Sequence, residues 1–144
     1  MCILLLNCSL IYQTVRIEVP KDYVGWVFVI PVKDTSGLQI NKHSGRYKIN
    51  QNGIAYVPTQ VLNLKNDSRV LVYEENEDIS NEMRYTGSVF SVKENNKKYE
   101  YIHFYLPSMN ERKIDAASQY WRDKSWEYKS PFDSLLKVGK IEFK

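Results

Sequence analysis

The fold reading turns on Val19-Pro-Lys-Asp-Tyr-Val-Gly-Trp-Val-Phe-Val-Ile-Pro-Val32. Pro20 fixes its own φ and Lys21-Asp22 prefer water, so the first half reads as a turn. From Tyr23 onward nearly every residue is β-branched or aromatic. Alternation in an extended chain puts Val24, Trp26, Phe28, Ile30 and Val32 on one face. Tyr23, Val27 and Val29 fall on the other. Both faces are apolar, and such a strand belongs in the middle of a packed structure, not at its edge.

Working outward, Thr14–Val19 alternates, with Val15, Ile17 and Val19 on one face and Arg16 and Glu18 on the other. That is a half-buried strand. Beyond the central run, Lys33–Gly37 is a polar turn, 38–40 a short strand and 41–45 a further loop. Residues 46–50 and 53–57 flank Gln51-Asn52-Gly53, and Asn-Gly between two strand-like runs predicts a hairpin. Strands are also expected at 69–73, 86–92 and 98–106, the last two joined by the polar connection 93–98. Strands of this length, separated by Gly-, Asn- and Asp-rich turns, predict a mainly β domain built as an antiparallel β-sandwich.

The pattern changes at Ser108. Ser108-Met-Asn-Glu111 fits a capping box, in which hydroxyl and carboxylate serve orphan backbone N–H groups. Ile114, Ala117 and Tyr120/Trp121 then recur at three- and four-residue steps, predicting one C-terminal amphipathic helix over about 109–124. Residues 126–134 read as turn-like and 140–143 as a final short strand. The domain is expected to span 14–144, with 1–13 either a leader or a first strand.

Composition narrows the function classes. At 144 residues the chain can bury one sizeable core, and 43% hydrophobic with 26% charged residues excludes wholesale disorder. The net charge of +3 is nearly balanced along the chain: eight basic against four acidic residues in 1–73, twelve against thirteen in 74–144. No basic footprint for nucleic acid results, so no nucleic-acid partner is expected. The two cysteines, Cys2 and Cys8, lie in the uncharged segment 1–12. Their spacing is not a zinc pattern, and they cannot cross-link the body of the domain. Leu5-Leu6-Asn7-Cys8 reads as the end of an export signal, with Cys8 carrying lipid. In that case the membrane is met only through the lipid anchor, and the location is the cell envelope. The alternative is a native first strand in a cytoplasmic protein.

Sequence signatures of catalysis are absent: no G-x-S-x-G, H-E-x-x-H or phosphate-binding glycine loop is present. No catalytic residue, metal or cofactor is therefore assigned. The acidic run Glu74–Asp78 lacks the order of a calcium loop and reads as solvated. The strongest binding candidate is Tyr99-Glu-Tyr-Ile-His-Phe-Tyr-Leu106. Ile102, Phe104 and Leu106 point to the core, and Tyr99, Tyr101, His103 and Tyr105 share the other face. Three phenols around an imidazole would suit a sugar or peptide, but amphipathic aromatics on a half-covered sheet face better suit packing across strands or beneath a helix. Trp126 is a further candidate for exposure, and His43 reads as solvated.

The Val19–Val27 string, followed by Arg46-Tyr-Lys-Ile-Asn-Gln-Asn-Gly53-Ile, resembles an uncharacterised family of small exported proteins and lipoproteins of Bacteroides-type bacteria. Asp22 stands where that family's pattern has glycine. The resemblance covers about residues 15–60 and implies a transthyretin- or immunoglobulin-like sandwich in the cell envelope, with no activity to carry over. Two functions follow as expectations. One is a non-enzymatic envelope module that binds a protein or glycan. The other is an inhibitor or immunity-type protein docking on one target through a knob such as Glu74–Glu82.

Overall fold

A computed structural model of the chain describes residues 14–62, 69–80, 84–85, 90–112 and 129–143. Its strands are β1 (Thr14–Val19), β2 (Gly25–Val32), β3 (Ile40–Asn41), β4 (Arg46–Lys48) and β5 (Ile54–Pro58). They continue as β6 (Arg69–Glu74), β7 (Glu77–Asp78), β8 (Arg84–Tyr85), β9 (Phe90–Glu94) and β10 (Lys97–Leu106), followed by helix α1 (Phe132–Lys137). One sheet has the order β3-β4-β1-β6-β7 and the other β5-β2-β10-β8, with β9 paired to the first half of β10. This is the expected mainly β, two-sheet architecture.

The central run behaves as its alternation predicts. Val27 and Val29 join β1, β6 and the inner face of β10 in the core between the sheets, with Val15, Ile17, Val72, Ile102 and Phe104 fully or almost fully buried. Trp26, Phe28, Ile30 and Val32 point the opposite way into a second core. That core is closed from outside by Phe132 of α1 and by Ile141. The second sheet is thus buried on both sides, and β2 lies inside it between β5 and β10. Each such side chain contributes ~1.5–3 kcal/mol on leaving water. Val24 is the exception: it precedes the first paired residue and is 48% exposed. Pro31 is tolerated in this inner strand because the β10 pairing ends at Val29, beyond which β2 pairs only with β5.

Four expectations need correction. The sheets are mixed: β1 runs parallel to both β4 and β6, and β2 parallel to β5. The reason is that the chain changes sheets between β1 and β2 and again between β4 and β5, so neighbours meet after a crossover. For the same reason Asn52-Gly53 closes no hairpin. It turns the chain from β4 in one sheet to β5 in the other. Asn50 Oδ1 accepts from Asn52 N (2.9 Å) and Ile54 N (3.1 Å), while Asn50 N donates to the Ile54 carbonyl (2.9 Å). Asn50 thereby covers backbone groups at the open edge of β5. The hairpin is instead β3–β4, tied by Gly45 N to the Asn41 carbonyl at 2.7 Å.

The third correction concerns the C-terminal region. The capping box is present: Ser108 N and Oγ both donate to Glu111 Oε2 at 2.8 Å, and Glu111 N donates to Ser108 Oγ at 3.4 Å. Residues 109–112 are helical, and the remainder of the expected 109–124 helix lies outside the described residues. The expected turn includes α1 from Phe132, with Pro131 before it, Asp133 in its first turn and Lys137 in its last. Gly139 at φ +70° ends it, with Gly139 N donating to Leu136 O and Lys140 N to Leu135 O. Residues 140–143 form no strand. The polar connection 93–98 does become a hairpin, turning at Asn95-Asn96, both at positive φ as a type I′ turn requires.

One charged cluster ties these parts together. Glu74 is not solvated: it ends β6 with its side chain 10% exposed, beside Arg112 at 2%. Arg112 Nη1 lies 3.8 Å from Glu74 Oε1, and its other nitrogens donate to the Pro107 carbonyl (2.8 Å) and the Tyr23 carbonyl (2.9 Å). Glu74 Oε1 also accepts from Asp22 N at 2.8 Å. Asp22 adopts φ 56°, a left-handed conformation that glycine enters more freely.

Gly53 is held tightly against β2. A Cβ there would lie 2.2 Å from the Trp26 carbonyl oxygen and 2.5 Å from Tyr23 Oη, at a φ of +76°. Tyr23 Oη itself donates to that carbonyl at 2.7 Å. Gly53→Ala is therefore expected to lower stability by about 3 kcal/mol or more in urea unfolding, from overpacking and left-handed strain together. A loss below about 1 kcal/mol, typical of surface sites, would contradict this packing.

Candidate functional site

The outer face of β10 carries the residues singled out from sequence. β10 pairs with β2 on one side, setting His103 opposite Phe28 and Tyr105 opposite Trp26. Tyr101 lies flat on Phe132, with centroids 4.0 Å apart and planes within 3°. Tyr99 stacks on Phe143 at 4.4 Å. His103 sits among Phe90 (3.9 Å), Trp26 (4.8 Å), Tyr101 (5.7 Å) and Phe28 (6.0 Å). Tyr101 and His103 are 6% and 7% exposed, whereas Tyr99 and Tyr105 are half-buried. Tyr101 lies in the second core with His103 among its rings, Tyr105 packs at its margin against Trp26, and Tyr99 is covered by Phe143. Trp126 and Cys8 lie outside the described residues.

The environment is apolar enough to act on the phenols. Burial, with Asp133 adding a like-charge penalty, pushes the Tyr101 phenol up to about 12. Tyr105 is raised by burial and by Glu111, and Tyr23 by burial and by Tyr105.

A concave site lies at the other end of the same face. A cleft of about 360 Å³ is bounded by the loop after β2, by the end of β4 and by β5, with Glu142 from the C-terminal tail. Val32, Leu38 and Ile54 form its apolar part, and Asp34, Gln39, Lys48, Asn50 and Tyr56 its polar part. Its walls are fixed by hydrogen bonds. Lys48 N donates to the Gln39 carbonyl (2.8 Å), Ser36 N to Asp34 Oδ1 (2.9 Å), and Glu142 N to Tyr56 Oη (3.2 Å). Tyr56 Oη in turn donates to the Lys140 carbonyl at 3.4 Å. Lys48 Nζ is 3.6 Å from Glu18 Oε1, so part of its charge is answered outside the cleft.

Sequence reasoning missed this cleft. Its residues come from segments 32–39, 48–56 and 142, and no local motif joins them. A partial signal existed in the polar loop at 33–37 and in Tyr56, which alternation places on the face opposite Ala55 and Val57. Among the described residues no group of three or more His, Cys, Asp and Glu side chains is placed to hold a metal.

The chain matches no family model and no curated protein. The resemblance to the Bacteroides-type family therefore gains no support. In three dimensions the chain is similar to the crystal structure of a "putative lipoprotein" from Bacillus anthracis, with a TM-score of 0.52. The match covers 89% of this chain and 91% of the other at 15% identity. Identity this low shows a shared fold and no more.

The raised Tyr101 value has a measurable consequence. Its neutral form is favoured by folding, so its share of stability is complete below the ordinary phenol value near 10 and is lost as pH rises through about 12. Tyr101→Phe, which keeps the ring stack, is expected to flatten the fall in stability over that window and to remove a late-forming tyrosinate from the ultraviolet titration. An unchanged alkaline profile would show that Tyr101 is open to water.

Proposed function

We propose that the protein is a non-enzymatic binding module of the cell envelope, anchored through lipid on Cys8. The observation that carries this reading is the fold likeness to the Bacillus anthracis protein, which extends over nearly all of both chains. Leu5-Leu6-Asn7-Cys8 is consistent with it, since a cysteine after a short apolar run is where a lipid anchor is attached.

Two features of the domain support binding over catalysis. His103 is enclosed by Trp26, Phe28, Phe90 and Tyr101. His43 is exposed in the β3–β4 turn, where its backbone N–H donates to Asn41 Oδ1. Neither stands in the cleft, so no imidazole is at hand there for a bound substrate. The cleft, by contrast, brings convergent polar groups together in one concavity, with Leu38 and Tyr56 as its partly exposed apolar members. The inhibitor reading loses part of its acidic knob, because Glu74 is committed to Arg112 and Asp22 inside the fold.

Growth of the host with radioactive fatty acid tests the anchor. The full-length chain is expected to take up label, and the Cys8→Ala variant to take up none. Equal labelling of the two, or none in either, would contradict envelope attachment through Cys8.

A further inference from the structure

We infer that the cleft between the 33–39 loop, β5 and Glu142 is a binding site for a neutral, hydroxyl-rich ligand of the carbohydrate class. This deepens the binding-module reading and rests on it.

Charge comes first. The lining holds two carboxylates, Asp34 and Glu142, and one ammonium, Lys48. A phosphate or carboxylate ligand would meet two carboxylates against one ammonium, and all three residues already have partners within the protein. A cationic ligand would meet Lys48. A neutral ligand meets neither penalty and can use the same groups as hydrogen-bond acceptors and donors.

Donor geometry is preset. The oxygen of the Asn50 side-chain amide is held by the backbone N–H groups of Asn52 and Ile54. The planar amide therefore presents its NH2, two donors, on the opposite side. Gln39 adds an exposed amide able both to donate and to accept, and Ser36 adds a hydroxyl. Donors and acceptors gathered in one concavity match a ring of hydroxyls, each of which does both.

Shape agrees. Leu38 and the Tyr56 ring, both half-buried, supply apolar surface for the C–H face of a sugar ring, and the Tyr56 hydroxyl is fixed between Lys140 and Glu142. An extended peptide is a poorer fit, because strand addition at β5 is blocked. Asn50 occupies the Ile54 amide and carbonyl, and Pro58 has no N–H to offer.

The test is a nuclear magnetic resonance titration of the whole purified chain, following the side-chain amides of Asn50 and Gln39. The probes are neutral disaccharides of glucose, galactose and N-acetylglucosamine, a sialylated trisaccharide, and the cation spermidine. At least one neutral disaccharide is expected to shift both amides at about 10 mM or below. Gln39→Ala and Tyr56→Ala should each weaken it roughly tenfold, a change of about 1.4 kcal/mol. Arg16→Ala, on the outer face of the other sheet, should leave it unchanged. Gln39 is exposed with no side-chain bond to lose, so its variant keeps the fold and the result stays interpretable. The inference is overturned if no neutral disaccharide shifts the two amides, if the sialylated sugar or spermidine binds more tightly, or if the Gln39 and Tyr56 variants bind as well as the parent. Failure of the envelope reading is seen separately, in the fatty-acid label, which involves no sugar.

Discussion

β2 is buried on both faces, and the rest of the molecule follows from that condition. A strand apolar on one face needs one covering layer; one apolar on both needs two. The first layer is the β3-β4-β1-β6-β7 sheet, which meets Val27 and Val29. The second is the C-terminal segment, whose Phe132 and Ile141 meet Trp26, Phe28 and Ile30. The molecule is a sandwich with a third, partial layer. Gly53 sets the approach of β5 to β2, because only a residue without Cβ fits against the Trp26 carbonyl.

The ends of these layers are joined by a polar device. Arg112, Glu74, Asp22 and Tyr23 come from the start of a helix, the end of β6 and the turn before β2. Their pairing links both sheets and the chain after β10 at one point. A buried arginine and carboxylate are tolerated there because each is hydrogen-bonded to backbone as well as drawn to the other. Removing either partner would leave the other charged and dry, so the cluster fixes geometry more than it adds net stability.

Much of the fold was legible in local pattern. The alternation of β1, the two-faced β2, the Ser108–Glu111 capping box and the β9–β10 hairpin all depend on residues close in sequence. What was not legible depends on partners far apart. Asn52-Gly53 has the same local chemistry whether it closes a hairpin or carries the chain to the other sheet, and strand direction is set by that choice. Glu74 read as one of an acidic run because nothing nearby announces Arg112, 38 positions on. Helix α1 carried its own signals, Pro131 before it, Asp133 and Lys137 within it and Gly139 after it, which a turn-like reading of Trp126–Ser134 overlooked. The cleft left only the partial signal of the polar 33–37 loop and Tyr56, being assembled from three separated segments.

The aromatic face of β10 decides where function can reside. If Tyr101 and His103 belong to the second core, a ligand would have to meet the protein elsewhere, and the cleft beside Tyr56 is a concave surface among the described residues. The chain has two histidines, one in this core and one on the β3–β4 turn, so each molecule carries its own control. Modification of the native protein by diethyl pyrocarbonate, read residue by residue by mass spectrometry, compares them directly. His43 is expected to react at the rate of an exposed imidazole, and His103 to stay protected until the protein is unfolded. Equal rates for the two in the folded protein would show that the β10 face is open, contradicting the second core.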